Sequence, residues 1–363
     1  MIILKYWKAL RLEFSREIRF KCFCLDRKLL HDIQISRTGK TLIKKGTGGR
    51  SSISGHTATI FGATGFLGRY IVNRLAKQGT TIIIPWRDQD SKRHLKILGD
   101  IGQIIMMEFD LRNKISIEES VRHSNIVYNL IGRDYETKNF SYKDVHVYGA
   151  ATIAEACTKY NIDRLIHISS LNANTTSPSH FYKTKGLGEE IVRNIFPKAT
   201  IVRPSIMFGA EDRFLNYLAK TSILLTANNN CELIRPTYVE DVAYALELMM
   251  FDDSTTSQIY ELYGEQEYSI SEILTIITHI IHRQPWHINI PKPIFSIITS
   301  ILNLLWWPTI NPNQIQTQYI DHKITNNTKT YSDLGIKPRD LNELAPKYLR
   351  MYQLPKHTNV IRE

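Results

Sequence analysis

The chain has 363 residues, of which 43% are hydrophobic and 22% charged, so it is long enough for one large or two modest folded domains. This composition excludes a disordered or fibrous protein, and four cysteines exclude a disulfide scaffold and favour a reducing or neutral compartment. No uncharged apolar run approaches the ~20 residues of a membrane-spanning helix. The net charge of +11 leaves nucleic acid, an anionic membrane or a targeting segment open.

The positive charge is concentrated at the N-terminus. Residues 1–50 contain thirteen Lys and Arg against four acidic residues, a net charge of +9, whereas the other 313 residues carry +2. A nearly neutral body without a basic stripe interleaved with aromatics argues against a nucleic-acid partner. The amphipathic spacing of Leu4, Trp7 and Leu10 in this leader is typical of a mitochondrial presequence. Because four acids are more than such segments usually carry, a retained basic arm stays the alternative.

From Thr57 onward, predicted strands and helices alternate. Short apolar runs predict strands at 57–62, 81–86, 103–109, 125–131, 163–169 and 199–206. Helix-period stretches lie between them, at 66–78, 114–123, 141–160 and 181–195. Strands of continuous Val, Ile and Leu separated by helices imply a parallel sheet covered on both faces. The sequence therefore predicts an α/β fold, a Rossmann-type doubly wound parallel sheet, over residues 55–225.

The remaining residues, 226–363, predict a smaller, helix-rich C-terminal lobe. A helix near 212–221 leads into it, the segment 235–243 opens a second that runs to about 251, and Ser269 with Glu272 forms a capping box for a third over 271–282. An uncharged stretch at 294–307 places its polar residues on one helical face and ends in two tryptophans. It is too short to span a bilayer, so we expect it to lie at a membrane interface or on membrane proteins, with an ordinary buried helix as the alternative.

A glycine-rich turn follows the first strand of the predicted sheet, at Gly62-Ala63-Thr64-Gly65-Phe66-Leu67-Gly68. Gly62 permits the tight turn, Gly65 lets backbone N–H groups approach a pyrophosphate, and Gly68 allows the helix to pack closely on the sheet. The N-terminus of the next helix adds the positive end of its dipole. This turn predicts dinucleotide binding, and the alternative is a tight strand-to-helix turn without a ligand.

The second strand of the sheet ends next to both an arginine and an acid, Arg87 and Asp88. An acid at this position would bind the ribose 2′-hydroxyl of NAD, whereas an arginine would pair with the 2′-phosphate of NADP. Because Arg69 adds a second candidate phosphate partner, we expect NADPH rather than NAD. The alternative is that Arg87 is only a solvated charge at a strand end.

Later strand ends supply the other candidate contacts to the cofactor. Asp110 and Leu111 would border the adenine, unless Asp110 only caps a helix. Leu130, Ile131 and Gly132 would let a ribose pass close to the backbone, unless they only pack within a buried strand. The cofactor-binding residues predicted from the glycine turn and the strand ends are Gly62, Thr64, Gly65, Phe66, Leu67, Gly68, Arg69, Arg87, Asp110, Leu111, Leu130, Ile131 and Gly132. His279, His282 and His287 lack zinc-site spacing, so no metal is expected.

These features resemble the extended (atypical) short-chain dehydrogenase/reductase superfamily. Active members of that superfamily use a Tyr-x-x-x-Lys pair, in which the lysine lowers the tyrosine pKa and the tyrosine transfers a proton. Here the lysine is Lys185, but Phe181 stands four residues earlier. Tyr182 is adjacent, and one helical residue turns a side chain by about 100°, so Tyr182 should not face the nicotinamide. The resemblance therefore implies no catalytic residue of the usual kind, and it adds Ser169, Lys185 and Pro204 to the predicted cofactor-binding residues.

A closer similarity is to the nucleotide-binding accessory subunits of mitochondrial respiratory complex I, of the alpha subcomplex subunit 9 type. It is carried by Ile84–Arg87, Asn129–Asp134, Glu136–Phe140, His167–Asn174 and Phe208–Asn216. The resemblance implies a non-catalytic subunit that holds NADPH tightly at the junction of the matrix and membrane arms, on the matrix side of the inner membrane. Its partners would be other complex I subunits and, through 294–307, membrane lipid. An active NADP-dependent oxidoreductase or epimerase with an atypical proton donor stays the alternative, and a soluble nucleotide-sensing regulator is a third.

Overall fold

The computed structural model describes residues 32–36, 38–46, 49, 51–221, 223–226, 232–283, 286–289, 321–325 and 328–353. The first 31 residues of the predicted leader and the predicted interfacial helix at 294–307 lie outside the described residues. Within the part of the chain that is described, no helix is long and apolar enough to cross a membrane.

The strands alternate with helices along most of the described chain. The strands are β1 (Asp32–Ile35), β2 (Thr41–Lys44), β3 (Thr57–Phe61), β4 (Thr81–Trp86), β5 (Ile104–Glu108), β6 (Ile126–Asn129), β7 (Arg164–Ile168), β8 (Thr200–Pro204), β9 (Met207–Phe208), β10 (Ile223–Thr226), β11 (Leu233–Ile234), β12 (Thr237–Tyr238), β13 (Ile259–Leu262), β14 (Tyr268–Ser269) and β15 (Trp286–Asn289). The helices are α1 (Phe66–Lys77), α2 (Lys114–Val121), α3 (Gly149–Lys159), α4 (His180–Ile195), α5 (Leu215–Lys220), α6 (Val239–Phe251), α7 (Ile270–Ile281) and α8 (Leu341–Leu349).

Seven strands form one parallel sheet in the order β13-β8-β7-β6-β3-β4-β5. The predicted doubly wound α/β fold and its first six strands are confirmed. The seventh strand, β13, comes from the segment that the sequence assigned to the smaller lobe. A bridge between Tyr260 and Lys329 adds a further piece of chain to the edge of β13. The sheet thus continues well beyond residue 225.

The sheet is covered on both faces because its strands carry apolar side chains on both sides. One core cluster joins the sheet to α1, α6, α7 and α8, and a second joins it to α2, α3 and α4. Helices α1 and α6 are also tied together by polar contacts, since Glu247 accepts hydrogen bonds from Arg74 and Gln78 at 2.9 and 2.6 Å. The sequence predicted one helix over 141–160, but a π-helical turn, Asp144–Tyr148, precedes α3.

The C-terminal part of the described chain is built from helices and three short strand pairs, β9–β12, β11–β14 and β10–β15. The capping box predicted at Ser269 and Glu272 begins α7, as both of its hydrogen bonds form. Buried Asp241 anchors the last helical segment by accepting hydrogen bonds from the backbone and guanidinium of Arg339 at 2.8 and 2.9 Å.

Strands β1 and β2 form an antiparallel hairpin inside the segment predicted as a basic leader. The turn of the hairpin is fixed to the body, since the Thr38 N–H donates to Asp163 at 2.9 Å and the Lys40 ammonium to the Ser124 carbonyl at 3.4 Å. The folded part therefore begins by residue 32 rather than after residue 50. A presequence before it stays a prediction.

One arginine stands between two buried glutamates at the β13 side of the sheet. Arg203 in β8 donates to Glu189 in α4 at 2.7 to 3.2 Å and to Glu261 in β13 at 3.2 Å. Both glutamates are at least nine-tenths buried, and Glu261 also accepts the Thr325 N–H at 3.1 Å. This buried ionic cluster joins α4, two strands and the segment that follows the undescribed residues 290–320.

Candidate functional site

The glycine turn between β3 and α1 has the geometry of a phosphate cradle. Gly62 has a φ of +80°, and a β-carbon there would lie 3.1 Å from the Leu130 carbonyl at the end of β6. The Gly65 N–H closes the turn on the Gly62 carbonyl at 3.0 Å. Helix α1 has no side-chain cap and no acid in its first turn, so its free N–H groups and positive dipole end remain available to an anion.

The residues after Gly65 hold this turn against the sheet. Leu67 and Gly68 are buried, and a β-carbon on Gly68 would lie only 2.5 Å from the backbone of Ala63. Thr64 and Phe66 are half-buried beside the turn, and the ring of Phe66 lies next to Gly209. The helix can therefore approach the sheet this closely only with glycine at position 68.

The predicted contacts to the adenosine half follow β4 and β5. Arg87 is exposed immediately after β4, and Trp86 before it lies under the Lys92 ammonium, 3.1 Å from the ring centroid. Asp110 is exposed after β5 and accepts the Arg112 N–H at 3.0 Å, so its carboxylate shapes the local turn, while Asn113 rather than Asp110 caps α2. Leu111 packs against Gly149 at the start of α3.

Lys185 lies between the ends of β6 and β7. It is buried in α4, its ammonium donates to the Ile168 carbonyl at 3.2 Å, and a β-carbon on Gly132 would lie 3.0 Å from it. Ser169 follows Ile168 and is buried, with a hydroxyl that finds no partner in the described chain. Pro204 ends β8 next to them, where its carbonyl accepts the Leu171 N–H at 3.1 Å.

Two buried histidines flank Lys185. His146 accepts the Arg133 N–H through Nε2 at 3.2 Å, so its Nδ1 carries the proton and donates to Thr184 Oγ1 at 3.1 Å. Asn129 donates to Nδ1 of His167 at 3.1 Å, and Nε2 of His167 has no partner among the described residues. Burial, with the nearby Lys185 charge, lowers the pKa of His146 to about 2 and of His167 to about 3, so both rings stay neutral. Lys185 is therefore the cation of this cluster.

Phe181 occupies the position of the usual proton donor. Its ring packs edge-on against His146 at a centroid distance of 5.4 Å and contacts Tyr142 and Tyr182 at 6.0 and 5.4 Å. Tyr182 is buried, and burial raises its pKa to about 12, although a hydrogen bond with Asn172 opposes this. A tyrosine with a raised pKa at a buried position is poorly suited to proton transfer near neutral pH.

The segment 209–214, here called the bridging loop, spans the ends of β3 and β6. Arg69 of α1 forms an ion pair with Glu211 of this loop, and Asp134 after β6 pairs with Arg213 at 3.2 Å. Buried Asp212 fixes the loop by accepting the N–H groups of Gly209 and Asn216 at 3.2 and 2.9 Å. Arg69, predicted as a phosphate partner, is thus held by a carboxylate that lies far away in the sequence.

Comparisons with known proteins agree with this geometry. The NAD dependent epimerase/dehydratase family matches over residues 58–262. The chain is 52% identical to the NADH-ubiquinone oxidoreductase 40 kDa subunit, mitochondrial, of Neurospora crassa, over 93% of this chain and 90% of the relative. It is 37% identical to the NADH dehydrogenase [ubiquinone] 1 alpha subcomplex subunit 9, mitochondrial, of Rattus norvegicus, over 86% of this chain and 84% of the relative.

The chain belongs to the subunit 9 family of mitochondrial NADH dehydrogenase.

Solved structures relate this subunit 9 family member to the epimerase fold. Triphenylmethane reductase of Citrobacter sp. superposes with a TM-score of 0.63 at 14% identity, covering 81% of this chain and all of the other. The UDP-glucose 4-epimerase of Thermus thermophilus, solved as a complex with NAD, gives a TM-score of 0.55 at 16% identity, covering 72% of this chain and 96% of the other. Identities this low establish the shared fold.

The structure brings the predicted site residues of this subunit 9 family member to one edge of the sheet. Gly62–Gly68, Arg87, Asp110, Leu130–Gly132, Ser169 and Pro204 all stand at or just beyond the carboxyl ends of its strands, and Lys185 reaches that edge from α4. Sequence reasoning missed His146 and His167. His167 could have been noticed as a histidine inside an otherwise apolar stretch of β7. Its proximity to Lys185, however, arises from tertiary folding and is not visible in the sequence.

The buried lysine predicts a characteristic pH dependence. Burial lowers the pKa of Lys185 to about 8, against the opposing charge of Glu189. Because the ordinary lysine value is about 10.4, the unfolded chain binds more protons between these two values, and folding is favoured as the pH rises. We expect the nucleotide-free chain to gain stability relative to Lys185→Met between about pH 8 and pH 10 in urea unfolding. Parallel pH profiles of the two chains would contradict this.

Proposed function

We propose that this chain is an accessory subunit of mitochondrial complex I that holds one NADPH as a structural element and does not itself turn it over. The observation that carries the proposal is the combination of an open phosphate cradle at Gly62–Gly68 with an aromatic ring, Phe181, at the proton-donor position. Its membership of the subunit 9 family supports the complex I assignment and a mitochondrial location.

The residues around the cradle fit a phosphorylated dinucleotide. The N-terminus of α1 would bind the pyrophosphate, and exposed Arg87 would pair with the 2′-phosphate. Lys185 would hold the ribose next to the nicotinamide, where the Ser169 hydroxyl and His167 Nε2, which have no partner among the described residues, offer further polar contacts. NADPH can supply a hydride when bound, whereas Phe181 cannot donate a proton.

The proposed setting is the junction of the matrix and membrane arms, on the matrix side of the inner membrane. Other complex I subunits would be the partners, with peripheral lipid contact through 294–307 and no nucleic acid. If native electrophoresis of mitochondrial membranes found the chain only as a free monomer, this setting would be excluded.

The nucleotide itself is testable from the native complex. Denaturing the complex is expected to release NADPH in proportion to this subunit, and Arg87→Asp is expected to lower its retention by about tenfold or more, because a carboxylate repels the 2′-phosphate. The same change should lower the melting temperature through lost ligand linkage. The matched control is Arg122→Asp, an exposed arginine after α2 at the other end of the sheet. Release of NAD(H), or of no nucleotide, would refute the assignment.

A second candidate function is an active oxidoreductase or epimerase with an atypical proton donor. Buried Lys185 and the free hydroxyl of Ser169 at the same strand ends favour it. Substrate-dependent oxidation or reduction of the nucleotide by the purified chain, abolished in Tyr182→Phe, would establish this function instead.

A further inference from the structure

His146 lies at the centre of an irregular helical turn. Residues Asp144–Tyr148 form a π-helical turn that runs directly into α3, where the sequence predicts one continuous helix. A π turn holds more residues than a turn of α-helix, and such turns are rare and occur mostly at functional sites. One extra residue rotates the side chains before it by about 100° relative to those of α3. The direction of the His146 side chain therefore depends on this turn.

The imidazole of His146 is packed on several sides. Helix α4 presents Gly188 to the π turn, and a β-carbon at that glycine would clash with the His146 carbonyl. The His146 ring stacks on Tyr142 at a centroid distance of 5.6 Å and meets the Phe181 ring edge-on. His146 as a whole is 2% exposed. The packing therefore holds the ring in one place.

The two ring nitrogens of His146 bind two different parts of the site. Nε2 accepts the N–H of Arg133, the residue after Gly132 just beyond β6, at 3.2 Å. Nδ1 donates to Thr184 Oγ1 at 3.1 Å, and that hydroxyl donates to the Phe181 carbonyl in the first turn of α4 at 3.0 Å. Thr184 is fully buried. The neutral imidazole thus connects the chain beyond β6 to the beginning of α4.

The two parts that His146 connects border the place proposed for the ribose next to the nicotinamide. A β-carbon on Gly132 would lie 3.0 Å from the Lys185 ammonium and 3.9 Å from His146 Nε2, so the three groups converge. Lys185 follows Thr184 directly in α4, and Gly132 directly precedes Arg133. A shift of either hydrogen-bonded neighbour therefore moves one of the two groups proposed to contact the ribose.

We infer that His146 is a positioning residue for the nicotinamide half of the bound dinucleotide, an inference that rests on the proposed function. It holds the backbone at Gly132 and the ammonium of Lys185 at the spacing that lets both contact the ribose. Binding groups must stay within about half an ångström of the productive geometry, and a packed, doubly hydrogen-bonded ring provides such support. The predicted contacts to the adenosine half, Arg87 and Asp110, follow β4 and β5 instead. Loss of His146 should therefore weaken binding of one half of the dinucleotide.

The test compares two ligands of the same site. NADPH has both halves, whereas adenosine 2′,5′-bisphosphate has only the adenosine half with its 2′- and 5′-phosphates. Their dissociation constants are measured by isothermal titration calorimetry on the full, nucleotide-free chain. His146→Leu removes both hydrogen bonds and leaves the Arg133 N–H without this acceptor. We expect the dissociation constant of NADPH to rise about tenfold and that of adenosine 2′,5′-bisphosphate to stay within about twofold.

Two further variants separate the hydrogen bonds from the volume of the ring. His146→Gln places an amide oxygen within reach of the Arg133 N–H, so it should bind NADPH within about threefold of the wild type. Thr184→Val keeps the shape of the side chain and removes the hydroxyl that accepts from Nδ1, so it should weaken NADPH binding severalfold. If His146→Leu does not fold, these two variants decide the question.

The matched control is His56→Leu, which changes a histidine next to the amino end of β3, where its ring packs edge-on against Phe251. It should bind both ligands like the wild type. Unchanged NADPH binding by His146→Leu and Thr184→Val would overturn the inference while leaving the proposed function intact. Equal weakening of both ligands, without recovery in His146→Gln, would also overturn it, because His146 would then only stabilise the fold. Failure of the wild-type chain to bind either ligand would count against the proposed function.

Discussion

Replacing Arg203 with methionine is expected to lower the free energy of unfolding by about 3–5 kcal/mol, because two buried carboxylates would then face each other without a cation. Arg203 donates to both Glu189 and Glu261, and Glu261 is fully buried. Methionine keeps much of the side-chain volume, so the loss of stability would be due to the missing charge rather than to a cavity. The measurement is urea unfolding of the purified chain.

Two control variants show whether the buried ionic cluster around Arg203 is responsible for the lost stability. Arg93→Met removes an ion pair with Asp90 in which both side chains are mostly exposed, and it should change stability by less than about 0.5 kcal/mol. Arg203→Met/Glu261→Gln should recover part of the loss, because only one buried carboxylate then lacks its cation. An Arg203→Met chain as stable as wild type would show that the cluster contributes little.

Gly68→Ala and Gly65→Ala should distinguish an effect on folding from an effect on nucleotide binding. A β-carbon on Gly68 would lie 2.5 Å from the Ala63 backbone, so Gly68→Ala is expected to cost about 1–3 kcal/mol and to displace α1 from the sheet. A β-carbon on Gly65 would meet only the Gly62 carbonyl, at 3.2 Å, within 4 Å. Gly65→Ala should therefore melt close to the nucleotide-free wild type.

NADPH retention should fall by about tenfold or more in both glycine variants, because backbone N–H groups can no longer approach the pyrophosphate. Nucleotide content after gel filtration and the melting temperature of the nucleotide-free chain are the two measurements. Equal melting temperatures for the two variants would contradict the close approach seen at Gly68. Full retention of NADPH by Gly65→Ala would contradict the cradle.

The doubly wound sheet was predictable because its signals are local. Each of β3 to β8 contains a short run of consecutive apolar residues, and the turn at Gly62–Gly68 is recognisable from its three glycines. The seventh strand escaped prediction because Glu261 makes β13 look polar. Arg203 and Thr325, both far away in the sequence, hydrogen-bond to that carboxylate and allow it to be buried. The β1–β2 hairpin was not predicted either, because its alternating isoleucines lie in a segment dominated by basic residues.

The candidate site residues that lie at strand ends were predictable from the sequence. The contacts that join them to other segments were less predictable. Arg87 and Gly132 follow from their positions at strand ends, whereas Lys185 follows from the resemblance to the Tyr-x-x-x-Lys pair of short-chain dehydrogenases. The pairing of Arg69 with Glu211, and the two neutral histidines around Lys185, depend on contacts between segments that are distant in the chain. Such contacts are set by tertiary packing, which a single sequence does not display.

The late segment beside β13 has a consequence for the order in which the chain can fold. Thr325, which donates to Glu261, lies 64 residues after it. Until the segment that contains Thr325 and Lys329 has docked, the edge of β13 is open and one buried carboxylate lacks a hydrogen bond. Open edges are templates for aggregation. The sheet is therefore protected at this edge only after the chain has folded as far as Lys329.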